Sequence, residues 1–232
     1  MKIKIFADGA DREGIQRLAA DPVIAGFTTN PTLMRQAGIE SYEAFAHEIL
    51  EVVTDRPISF EVFSDDVDEM ERQALRISRW APNVNVKIPV TNTRGERTDL
   101  LLKRLVEQGT QLNVTALFTL EQVEWVAACL ADGPPCFVSV FAGRVADAGV
   151  DPLPIMRDAL DLLRNYGNQE LIWASPREVF NIVQADAIGC DVITVTHDLL
   201  KKRSSLGKDL NEFSLETVRM FHDDASAAGY QV

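Results

Sequence analysis

The sequence predicts a single (β/α)8 barrel of the TIM type over residues 1–232, with one additional C-terminal helix at 213–229. Three observations predict it. Eight short runs are rich in Val, Ile and Phe, amphipathic segments of helical length lie between them, and no low-complexity tract or linker divides the 232 residues.

The strand candidates, in order, are KIKIFAD (2–8), IAGFTTN (24–30), ISFEVF (58–63), VNVKIPV (84–90), LNVTALF (112–118), CFVSVFAG (136–143), ELIWAS (170–175) and VITVT (192–196). Helical patterns such as 65–80, 120–131 and 153–166 separate them, and repeated βα units require a parallel sheet. A doubly wound open sheet is the alternative, but FADGADREG after the first strand lacks the G-x-G-x-x-G fingerprint. GPPC (133–136) and TNTRGERTD (91–99) read as loops. Residues 201–213 read as a polar connection to the last helix, with Ser214 or a neighbour as its start.

Composition excludes several function classes. The formal net charge of -12 opposes a nucleic-acid-binding surface or a polybasic membrane patch. The apolar run at the N-terminus is too short for a secretory signal and no run suggests a membrane span, so a cytoplasmic protein is expected. Cys129, Cys136 and Cys190 have no zinc-like spacing, and His47, His197 and His222 are scattered, so reduced buried thiols and no metal are expected.

Lys87 stands in the middle of an apolar strand. Side chains alternate, so it shares a face with Asn85 and opposes Val86 and Ile88, which places it inside the barrel. The same parity turns Glu61 with Ser59, and Thr115 with Asn113, inward. Asp8, Asn30, Ser139, Ser175 and Thr196 fall at or near the C-terminal ends of their strands, where active sites of this architecture are built. Singly, Asp8, Asn30 and Ser175 read as helix caps and Thr115 as the partner of a backbone group. Together they form a polar ring that a dry core does not tolerate. Arg144 and Arg177 open loops at the same face, where guanidinium forks suit an anion. Either has an exposed salt bridge as its bland explanation.

An ordinary lysine, with a pKa of about 10.4, is almost wholly protonated at neutral pH; burial away from anions yields a nucleophilic amine. Such an amine forms a Schiff base with a ketone, and the iminium accepts electrons when the neighbouring carbon–carbon bond breaks. Asp8 could take the departing hydroxyl proton, and Glu61 could shuttle protons through a water held by Thr115.

Over nearly the whole barrel the chain resembles the transaldolase family, in GFTTNPTLM (26–34), EVFSDD (61–66), VNVKIPVT (84–91), LNVTALFTLEQ (112–122), SVFAGRVADAG (139–149) and WASPREV (173–179). The resemblance implies transfer of a dihydroxyacetone unit between sugar phosphates without cofactor. It makes Lys87 the Schiff-base lysine, Asp8 the carboxylate acting on the substrate hydroxyl, and Glu61 with Thr115 the pair around a catalytic water. Asn30, Asn113 and Ser139 match contacts to the dihydroxyacetone part, and Ser175, Arg144 and Arg177 match phosphate-binding positions. Thr28 and Phe141 complete the substrate-binding set. The family also holds fructose-6-phosphate aldolases, which release free dihydroxyacetone and typically carry Gln at position 61 and Tyr at position 141; Glu61 and Phe141 are of the transferase type. FADGA, PREV and the lengthened 91–99 loop depart from the usual pattern and point to a specialised sugar pathway as an alternative. A sugar-phosphate-binding protein without catalysis is the non-enzyme alternative. The terminal helix, 213–229, is expected to pack on its own barrel or on another subunit of a homo-oligomer.

Overall fold

The computed structural model describes residues 1–230 and resolves into two compact units, Met1–Leu200 and the segment from Lys201 onward. In the first unit eight parallel strands close into a barrel in chain order. They are β1 (Lys4–Asp8), β2 (Ile24–Thr28), β3 (Ile58–Glu61), β4 (Val84–Pro89), β5 (Leu112–Leu117), β6 (Cys136–Val140), β7 (Gln169–Trp173) and β8 (Val192–Thr196). All eight expected strands form, most of them shorter than the apolar runs that predicted them.

The helices are α1 (Arg12–Ala19), α2 (Pro31–Gln36), α3 (Tyr42–Val52), α4 (Val67–Ile77), α5 (Asp99–Glu107), α6 (Leu120–Leu130), α7 (Ala142–Asp147), α8 (Pro152–Leu163), α9 (Phe180–Ala187), α10 (His197–Lys201) and α11 (Leu210–Ala228). Local chemistry sets many of their starts. Asp11, Asn30, Ser41, Asp66, Thr119 and Asp151 each accept a hydrogen bond from a backbone N–H of the first turn, and Thr119 with Gln122 forms a capping box. The core lies between barrel and helices: Val86 and Ile88 of β4, Val114 of β5, Phe60 of β3, Leu101, Leu105 and Val126 are fully buried. This is the outer side that alternation assigned to Val86 and Ile88.

Several boundaries differ from expectation. Asn30 lies past β2 and caps α2, while Ser175 lies two residues past β7 and caps nothing; α9 starts only after Val179, without a side-chain cap. Asp8 is no cap either, since Asp11 holds the first turn of α1. In the second unit α11 starts at Leu210 rather than near Ser214, because the Asp209 carboxylate accepts from the N–H groups of Asn211 and Glu212. Residues 201–213 are therefore not all connection: a 3-10 turn covers Lys202–Ser205 and the helix already contains Phe213. Among the described residues no helix is long and apolar enough to cross a membrane, and the three cysteines are buried and free.

Candidate active site

Strand register brings the polar interior together. Lys87 of β4 pairs with Glu61 of β3 on one side and with Asn113 of β5 on the other. Across the barrel Asp8 of β1 lies between Thr28 of β2 and Thr196 of β8. All twelve residues given a catalytic or substrate-binding role in the sequence line one cavity of about 390 Å³ at the C-terminal ends of the strands, together with Thr196: Asp8, Thr28, Asn30, Glu61, Lys87, Asn113, Thr115, Ser139, Phe141, Arg144, Ser175 and Arg177.

Lys87 is buried, with 6% of its surface exposed. Its Nζ donates to the Thr29 carbonyl at 2.9 Å and sits 3.1 Å from Glu61 Oε2. The amine expected away from anions therefore has a carboxylate at contact distance, and a proton leaving Nζ has an acceptor beside it. Asp8 Oδ1 accepts from the Thr28 hydroxyl at 2.7 Å, and Oδ2 takes a long contact of 3.5 Å from Asn30 Nδ2. Asn30 thus serves two sites at once, since its Oδ1 caps α2 by accepting from Leu33 N–H at 3.0 Å. Burial pushes the Asp8 carboxyl above the ordinary carboxylate range; the Lys87 charge and the Thr28 hydroxyl oppose this rise, and the Glu61 charge adds to it.

A second network fixes the floor. Asn113 donates to Ser59 Oγ at 3.0 Å and accepts from Ser139 Oγ at 2.7 Å, so three strands hold one carboxamide in a single orientation. Thr115 Oγ1 is buried and has no hydrogen-bond partner among the described residues, so it does not satisfy a backbone group there. The next residue, Ala116, has a φ of 64°, as does Ser175 at 61°, and a side chain in that region is strained. Both positions border the cavity.

The wall opposite carries the arginines. Arg144, on the first turns of α7, holds its guanidinium 5.3 Å from the Phe141 ring, which leans on Phe118 at 5.8 Å. Arg177 is in an ion pair with Asp147, as its bland explanation expected, and still lines the cavity. The 91–99 loop does not border the cavity at all. Asp65 accepts from Thr93 and Arg94, Glu96 accepts from Asn92 and Arg94, and Arg97 lies 4.3 Å over Trp125. The Gly9 of FADGA leaves room for the His197 ring, which a Cβ there would meet at 2.5 Å.

Sequence reasoning missed three contributors. Thr194 is buried in the cavity wall with its hydroxyl against that of Thr28; parity with Thr196 in VITVT was the available signal. The Thr29 carbonyl gave no signal, because a backbone acceptor has none. Tyr42, from α3, donates to the Glu61 carbonyl at 2.9 Å and packs edge-on against Phe60, Phe63 and Trp80, a contact between segments distant in sequence. Among the described residues no group of His, Cys, Asp and Glu is arranged to hold a metal ion.

An amine, two carboxylates and an arginine-flanked mouth in one cavity suit addition to a carbonyl of an anionic substrate. The solved dihydrodipicolinate synthase of Rhodopseudomonas palustris superposes with a TM-score of 0.57 over 92% of this chain and 79% of its own, at 14% identity, a likeness of fold. A probable transaldolase of Dehalococcoides mccartyi is 34% identical over 85% of this chain and 88% of its own. One from a Thermoanaerobacter species is 35% identical over 85% and 88% respectively. A family model described as transaldolase/fructose-6-phosphate aldolase matches residues 5–231, and the chain belongs to that family.

Proposed function

We propose that the protein is a transaldolase that moves a dihydroxyacetone unit from a ketose phosphate to an aldose phosphate through a Schiff base on Lys87. The observation that carries this reading is the buried Lys87 Nζ, 3.1 Å from Glu61 Oε2 in the cavity that Asp8 also lines. Glu61 takes a proton from Nζ. The amine then adds to the donor's C2 carbonyl and water leaves, with Glu61 and a water held by the unpartnered Thr115 hydroxyl moving the protons. The iminium draws the electrons of the C3–C4 bond while Asp8 accepts the C4 hydroxyl proton, releasing the first aldose and leaving an enamine on Lys87. The enamine attacks the acceptor aldehyde, Asp8 returns the proton to the new hydroxyl, and hydrolysis frees Lys87. Arg144, Arg177 and Ser175 hold the phosphate, and Asn30, Asn113, Ser139 and Thr28 hold the three-carbon unit.

Fructose-6-phosphate aldolase activity is the second reading within the family. Phe141 favours transfer, because its ring has no hydroxyl with which to protonate the enamine while an acceptor is awaited. The 91–99 loop, pinned away from the cavity, lends no support to a specialised acceptor pocket built from it.

Incubation with fructose 6-phosphate and borohydride should add a reduced three-carbon or hexose adduct to the peptide containing Lys87, read by mass spectrometry. An unmodified Lys87 in enzyme that turns over sinks the mechanism. Free dihydroxyacetone released from donor alone as fast as transfer proceeds with an acceptor would instead establish the aldolase reading. α11, which has no buried residue, extends the proposal to assembly, as a surface for a second copy of the chain.

A further inference from the structure

Asp147 has no task in the reaction as drawn, yet it makes a two-point contact with Arg177 at the cavity rim. Its carboxylate accepts from Arg177 Nε at 3.0 Å and from Nη2 at 2.5 Å. The two side chains are 53% and 46% exposed, and ion pairs in that setting contribute little to folding. What a two-point pairing does supply is orientation, because a planar guanidinium gripped along one edge cannot turn.

The grip is side-on. It spends the Nε–Nη2 edge, and among the described residues Arg177 Nη1 has no protein partner. Arg177 lines the cavity and Asp147 does not, so the carboxylate holds the fork from outside. The geometry is anchored at its base as well. Asp147 ends α7, the helix that carries Arg144, and α7 is seated on the loop after β7: a Cβ on Gly143 would lie 1.6 Å from the Ser175 carbonyl oxygen. Both arginines and the carboxylate are thus referenced to a single junction between α7 and the Ser175 loop.

We infer that Asp147 is a positioning residue, which fixes Arg177 so that the unspent edge of its guanidinium meets the phosphate of the substrate. The inference rests on the reading of Arg177 as a phosphate ligand. Without Asp147 the long side chain must be ordered at each binding event, a loss of about three- to tenfold in affinity. Two outcomes separate this from simple charge balance. If Asp147 merely competed with phosphate for Arg177, its removal would tighten binding; if it merely supported the fold, all substrates would suffer alike.

The test compares wild type with Asp147→Ala and Asp147→Asn, the latter keeping one acceptor and carrying the test if the alanine variant does not fold. Steady-state transfer is measured with fructose 6-phosphate and with unphosphorylated fructose, together with competitive inhibition by inorganic phosphate. Expected are a rise of about three- to tenfold in KM for fructose 6-phosphate and in Ki for phosphate in Asp147→Ala, and a smaller rise in Asp147→Asn. Maximal rate at saturation and kcat/KM for fructose stay near wild type. A KM that is unchanged or lower, or an equal loss on both donors, overturns the proposal. A wild-type enzyme that phosphate does not inhibit, and that treats both donors alike, removes Arg177 from the phosphate site and the proposal with it.

Discussion

Asp8 shows how a single residue joins function to stability. Its carboxyl is buried against Thr28, and its pKa is raised above the ordinary 3.8, chiefly because burial penalises the charge. A base poised above the usual range sits closer to neutral pH, which suits proton transfer. The sign for folding follows from linkage. A group whose folded pKa is raised favours the folded state below its unfolded value and loses that stability as pH rises through the folded one. Asp8→Asn removes this ionisation while keeping an acceptor for Thr28. Transfer should fall by about 10²–10⁴-fold, whereas the melting temperature relative to wild type should climb from pH 4 to pH 7; a difference that is flat with pH contradicts the buried-charge argument. The acid limb of the wild-type pH–rate profile should lie above 3.8. Alternation alone placed Lys87, Glu61 and Thr115 in the interior. It did not show that Glu61 would lie next to Lys87, because lateral neighbours depend on strand register, which is set by packing across the whole barrel.

At the scale of elements, the strands were readable because their signal is local, runs of Val, Ile and Phe; helix starts were read less well, since of the residues named as caps only Asn30 heads a helix, while Asp11 and Asp209 take the places expected of Asp8 and Ser214. The junction between α7 and the Ser175 loop was not, since it joins segments some thirty residues apart in sequence through a close backbone approach and a φ of 61°. Gly143 is the residue that permits the approach. Its Cβ position is 1.6 Å from a carbonyl oxygen, which is backbone and cannot rotate aside, so Gly143→Ala must displace the loop. Overpacking of this kind costs about 1–3 kcal/mol, and in a chain of this size each kcal/mol lowers the melting temperature by about 2–4 °C. Because the loop carries Arg177, KM for a phosphorylated donor should rise as well. An alanine variant that melts with the wild type and keeps its KM would show that the junction is looser than its geometry indicates. The start of α11 differs from expectation because Ser214 is a cap by residue type alone, whereas Asp209 reaches two N–H groups and captures the first turn.

At the scale of the whole molecule, α11 is the element that a lone chain does not explain. The 19-residue helix has no buried residue, and Leu210, Phe213, Val218 and Phe221, spaced along one side, are between 41% and 80% exposed. Helical stability in proteins comes mainly from packing an apolar face, so this stripe calls for a partner, and a second copy supplies an identical one. The net charge of -12 acts against that association, since copies of an acidic chain repel one another. Two dependences follow. Light scattering should give a multiple of 25.7 kDa for the full chain, and the multiple should persist to lower protein concentration as salt is added, because screening weakens repulsion but not apolar contact. The triple variant Phe213→Glu, Val218→Glu and Phe221→Glu should return the protein to 25.7 kDa while far-ultraviolet circular dichroism of the barrel is retained. A wild-type chain that scatters as a monomer, or a triple variant that assembles like wild type, removes α11 as the surface of assembly. The outcome also bears on catalysis: all the residues lining the cavity come from Met1–Leu200, so a monomeric triple variant should keep its turnover, and a loss of activity on dissociation would mean that the partner supports the site.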